Sequence, residues 1–135
     1  MSDALRALWS ARSIAVIGAT ERPGAMGRLP IEYLQRFGYA GVIASVNPKG
    51  GTILGLAACT SIADVPGPVD LALVMVPAAS VPAAVAECAA AGVRTCIVMS
   101  SGFAETGEDG ARAQDELVAV ARASGMRLVG PNCIG

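Results

Sequence analysis

A chain of 135 residues with a formal net charge of −1 is long enough to bury one substantial core, and its balance gives nucleic acid and anionic membranes no electrostatic hold. Hydrophobic residues make up 53% and charged residues 16%, the proportions of a globular domain with a large interior. With no histidine, and four cysteines lacking any CxxC spacing, the sequence offers no zinc site and lacks the usual proton carrier of acid–base catalysis.

The N-terminus, MSDALRALWSARS, is amphipathic and has neither the charged start nor the apolar core of a secretory signal. It predicts a helix from Asp3 to Arg12, capped by Ser2, with Leu5, Leu8 and Trp9 on one face. Ser13–Gly18 reads as a buried strand, apolar without alternation. The glycine-bearing loop ATERPGAM leads to a helix that begins near Gly27, carries Leu29, Ile31, Leu34 and Phe37, and stops at Gly38. Val42–Val46 is the second strand, ended by NPKGG. A short edge strand is expected near Leu56–Ala58, then one helical turn capped by Thr60 or Ser61.

Asp70–Val76, DLALVMV, is the strongest strand signal in the chain. The apolar run Leu71–Ala86 around it is too short for a membrane span and is divided by Pro77 and Pro82. Ser80 is expected to cap the next helix, with Pro82 in its first turn and Gly92 after its end. Thr95–Ser100 follows as a buried strand, and SGFAETGEDG as a polar loop in which Glu105, Glu108 and Asp109 are solvated. A helix over Ala111–Ala123 and a strand over Arg127–Val129 precede GPNCIG.

Strands apolar on both faces, alternating with helices, predict an α/β fold: a Rossmann-like, doubly wound parallel sheet in a single three-layer domain, residues 1–135. The expected strand order is 3-2-1-4-5-6. It puts a ligand crevice beyond the carboxyl ends of the first and fourth strands, at Gly18 and Val76-Pro77.

Each motif falls at that crevice. Glycines in the loop from Gly18 through Thr20 to Gly27 let backbone N–H groups approach a phosphate at a helix N-terminus. The spacing is neither GxGxxG nor Walker A. After the second strand, where dinucleotide-binding folds usually place an acid for a free ribose diol, Asn47-Pro48-Lys49 offers the only lysine in the chain. A cation there suits a phosphorylated ribose, which NADPH carries at the 2′ position and coenzyme A at the 3′ position. Pro77 has no N–H to donate, so Val76-Pro77 forms an apolar rim for an adenine or a pantetheine arm. Ser100, Ser101 and Gly102 offer small hydroxyls and open backbone at the end of the fifth strand. Cys133 has no histidine to activate it and reads as a packed thiol. A chain that stops within Gly-Pro-Asn on the ligand side of its sheet reads as the N-terminal part of a longer polypeptide. Unpaired thiols suit the reducing cytoplasm.

In order along the chain, ARSIAVIGAT, RPGAMGR, VNPKGG, PVDLALVMVPA, SSGFAETGEDG and RLVGPNCIG resemble the N-terminal coenzyme A-binding domain of the NDP-forming acyl-CoA synthetases. That family includes the ADP-forming acetyl-CoA synthetases and, more distantly, the succinyl-CoA synthetase alpha subunit. The resemblance runs from about Leu8 to Gly135. It implies that Gly24, Ala25, Met26 and Gly27 meet coenzyme A, that Lys49 is the basic residue at its nucleotide end, and that Val76 and Pro77 form a rim. Ser100, Ser101 and Gly102 match a segment that holds a glutamate in succinyl-CoA synthetase; Ser101 departs from it. It also implies that the phosphorylated histidine, and the ATP-grasp module that binds ATP or ADP, belong to other domains or a partner subunit, so that no catalytic residue is expected in this chain. Two further readings stand beside it: a coenzyme A-binding module of a protein acetyltransferase or a stand-alone binding protein, and an NADP-binding oxidoreductase domain.

Overall fold

In the computed structural model, which describes residues 3–100, 103 and 106–130, the chain opens with α1 (Asp3–Ser10) and turns at once into β1 (Ser13–Ile17). The strand is apolar on both faces because both are covered. Ala15 and Ile17 point into the larger core, and Val16 points into a smaller one on the opposite side. β1 lies between β2 (Val42–Val46) and β5 (Leu71–Val74), parallel to both, with Ile14 opposite Ile43 and Leu71. β6 (Thr95–Val98) and β7 (Arg127–Val129) extend the sheet beyond β5, giving the order β2-β1-β5-β6-β7.

Helices α3 (Val81–Ala90) and α4 (Glu108–Ser124) cover one face. Val81, Val85, Cys88, Leu117 and Ala121 pack there against Ala72, Val74, Cys96 and Val98. On the other face α2 (Leu29–Arg36) inserts Ile31, fully buried, against Val16, Ala19 and Ile53. Burying one such side chain is worth about 1.5–3 kcal/mol, so these two clusters hold the three layers together. The winding direction reverses between β1 and β5, where the expected crevice lies.

Four local expectations change. The third strand shrinks to a single parallel bridge between Cys59 and Val46. Leu56–Ala57 (β4) instead pairs antiparallel with Thr52–Ile53 (β3) in a hairpin. α4 begins three residues early, because Glu108 and Asp109 occupy its first turn, where the helix dipole favours acids. The loop before it is not wholly polar: Phe103 is 2% exposed and belongs to the larger core. Ser80 makes no side-chain cap, since the 3₁₀ turn Ala78–Ser80 runs straight into α3. Ser61, by contrast, does cap its turn, accepting from the Ala63 N–H. The Ser2 cap and Cys133 lie outside the described residues.

Candidate functional site

The carboxyl ends of β1, β2 and β5 are tied together by their own backbones. The N–H groups of Gly18 and Ala19 both donate to the Val46 carbonyl, at 3.0 and 3.2 Å, and Met75 N–H donates to the Ile17 carbonyl at 2.8 Å. Gly18 turns the chain away from the sheet with φ +89, a conformation that favours glycine. The loop then returns so closely that a Cβ on Gly27 would stand 2.0 Å from the Gly18 carbonyl oxygen. Only glycine fits there.

Between these anchors the loop is stitched internally. Thr20 N–H donates to the Gly27 carbonyl, Arg22 N–H to Thr20 Oγ1 at 3.1 Å, and Ala25 N–H to the Arg22 carbonyl at 3.1 Å. Among the described residues, the N–H groups of Met26 and Gly27 find no acceptor. They stand just ahead of α2, which has no side-chain cap and carries Pro30 in its first turn. Unpaired donors at a helix N-terminus form an anion-accepting wall.

A crevice of about 590 Å³ opens in front of that wall. Of the residues singled out from the sequence, it brings together Gly18, Thr20, Ala25, Met26, Gly27, Asn47, Val76, Pro77 and Ser100. Gly24 is exposed at the loop's outer turn and Lys49 is exposed beyond Asn47; neither lines the crevice. Ser101 and Gly102 fall outside the described residues.

Two of the polar lining residues serve as latches. Asn47 Nδ2 donates to the Ala19 carbonyl at 2.9 Å while its Oδ1 accepts the Lys49 N–H at 2.8 Å, joining the β2 loop to the glycine loop. Ser100 Oγ donates to the Val76 carbonyl, joining the ends of β6 and β5.

Sequence reasoning missed Ala19, Arg22, Met75, Ala78 and Met99, which also line the crevice. Met75 and Met99 are the residues that directly follow β5 and β6, a positional signal available once the strands are recognised. With Met26 they give an adaptable apolar surface. Among the described residues, Arg22 is the only charged one in the lining. Among the described residues, no group of His, Cys, Asp and Glu could hold a metal ion, and no helix is long and apolar enough to cross a membrane.

The chain has relatives among known proteins. The profile of a CoA binding domain family matches residues 12–135. The alpha subunit of the ADP-forming acetate–CoA ligase I of Pyrococcus furiosus is 42% identical, over 97% of this chain and 29% of that subunit. The ADP-forming acetate–CoA ligase I of Archaeoglobus fulgidus is 43% identical, over 95% of this chain and 18% of its own length. The solved dinucleotide forming acetyl-coenzyme A synthetase 1 of Ca. Korarchaeum cryptofilum, in complex with phosphate and ADP, superposes with a TM-score of 0.93 at 34% identity, over 99% of this chain and 28% of that one. The chain thus spans less than a third of the length of these relatives. It belongs to the CoA binding domain family.

Proposed function

We propose that this chain is the coenzyme A-binding domain of an NDP-forming acyl-CoA synthetase, forming the N-terminal part of a longer cytoplasmic polypeptide. It holds the thiol substrate, while a phosphorylated histidine and the ATP or ADP site in further domains or a partner subunit carry the phosphoryl transfer. The observation that carries the reading is that Met26 and Gly27, whose N–H groups have no acceptor among the described residues, line the crevice at the sheet's switch point in a chain of this family. Phosphates suit that wall. The apolar surface of Met75, Val76, Pro77 and Met99 suits a pantetheine arm. Lys49, exposed just outside Asn47 and with no side-chain partner among the described residues, suits the 3′-phosphate at the crevice mouth.

Titration calorimetry of the chain with coenzyme A, dephospho-coenzyme A and NADPH tests this. Coenzyme A is expected to bind most tightly. Tighter binding of NADPH would overturn the assignment and restore the oxidoreductase reading.

A further inference from the structure

Three cations surround the glycine loop, and they are not equivalent. Arg28 is committed: its Nε pairs with Glu32 Oε2 at 3.2 Å and its guanidinium also donates to the Glu21 carbonyl. Lys49 lies off the crevice wall. Arg22 lines the crevice, and among the described residues its guanidinium has no hydrogen-bond or ion-pair partner. Among the described residues it makes no ion pair with its neighbour Glu21, whose carboxylate instead accepts the Leu54 N–H at 2.6 Å. Among the described residues, no acid lines the crevice.

The backbone of Arg22 is held at both ends. Its N–H donates to Thr20 Oγ1 and its carbonyl accepts the Ala25 N–H, so the side chain springs from a fixed turn. That turn shares a wall with the unpaired N–H groups of Met26 and Gly27. A guanidinium beside two backbone donors matches a diphosphate, whose several oxygens can accept from the planar fork and from the N–H groups together.

Resting on the coenzyme A reading, we propose that Arg22 is the cation that binds the diphosphate bridge, whereas Lys49 serves the ribose phosphate. The two roles differ in what each residue can sense. Dephospho-coenzyme A keeps the diphosphate and lacks the 3′-phosphate, so it separates them.

The test is calorimetric titration of the wild-type chain, Arg22→Ala, Arg22→Lys and Lys49→Ala with coenzyme A and dephospho-coenzyme A. Arg22 is exposed, so folding should survive, and thermal melts of each variant check this. Arg22→Ala is expected to weaken both ligands alike, by about 10- to 100-fold, the loss that accompanies one charged hydrogen-bonding partner. Arg22→Lys should recover part of the loss for both, because it keeps the charge and loses the fork. Lys49→Ala should weaken coenzyme A alone. If the wild type binds both ligands and Arg22→Ala binds them unchanged, or loses coenzyme A only, the assignment of Arg22 is overturned and the coenzyme A reading stands. A wild type that binds neither ligand overturns both.

Discussion

Gly27 shows how one missing side chain shapes the site. With only 2.0 Å between a Cβ at Gly27 and the Gly18 carbonyl oxygen, Gly27→Ala must push the loop off the end of β1. Overpacking of this kind costs about 1–3 kcal/mol. It should also turn the Met26 and Gly27 N–H groups away from the crevice, so ligand affinity should fall together with the denaturation midpoint. A variant with both properties unchanged would mean that the loop does not approach β1 this closely. The opposite sign is expected at Ser45. Its hydroxyl is fully buried and finds no partner among the described residues. An unsatisfied buried donor is costly, so Ser45→Ala should leave stability unchanged or raise it by up to about 1 kcal/mol. A urea midpoint that drops markedly would reveal a bond the hydroxyl makes in solution. Neither residue declares itself in the sequence. The glycine loop is legible from composition, but which glycine lacks room depends on a contact nine residues away that only the fold creates. Asn47 and Ser100 read as ligand contacts for the same reason: their hydrogen bonds join segments far apart in sequence.

At the scale of elements, the β3–β4 hairpin is tied to the ligand loop through a single residue. Leu54 adopts φ +48, an uncommon conformation for a branched side chain, and both its backbone groups are claimed by other elements. Its N–H donates to Glu21 Oε1 at 2.6 Å in the glycine loop, and its carbonyl accepts from Gln35 Nε2 at 2.9 Å on α2. Ile53 anchors the hairpin beside Val16 and Ile31. Glu21→Ala should therefore release the hairpin tip, speeding exchange of the Leu54 amide by roughly 10-fold or more, given about 1.5–3 kcal/mol for a charged hydrogen bond. Glu21→Gln keeps an acceptor and should exchange nearly as the wild type does. Equal protection in all three would show that the tip is held by packing alone. The long strands and helices were legible because burial on two faces leaves unbroken apolar runs, as in Ser13–Ile17 and Leu71–Val74. The hairpin was not, since two-residue strands carry no periodicity. The start of α4 was missed because Glu108 and Asp109 resemble loop residues until the helix dipole is taken into account.

At the scale of the whole molecule, the order of the long strands and the place of the crevice follow from the alternation of strand and helix, because right-handed crossovers permit few sheets. What the alternation cannot convey is how the layers meet. Cys88 on α3 and Cys96 on β6 come together in the larger core, both fully buried. A hydrogen bond between the two thiols, followed by burial, pushes the ionisation of Cys88 well above the ordinary cysteine range. The folded chain therefore keeps a proton that the unfolded chain releases near pH 8.5, the ordinary cysteine value. Stability from this group is fully present below about pH 8.5 and declines above it, by up to about 1.4 kcal/mol per pH unit. Tyr39 is also raised, by burial and then by Asp70, but it titrates in the unfolded chain only near pH 10. Urea denaturation between pH 8 and pH 9.5 therefore stays below the tyrosine titration, and comparison with Cys88→Ala separates this thiol from the other cysteines. Cys88→Ala should be less stable than the wild type at pH 8, through the lost packing, yet lose less stability as the pH rises. Parallel pH profiles for the two proteins would show that the Cys88 proton is not tied to folding, and that the α3–β6 contact holds the core by packing alone.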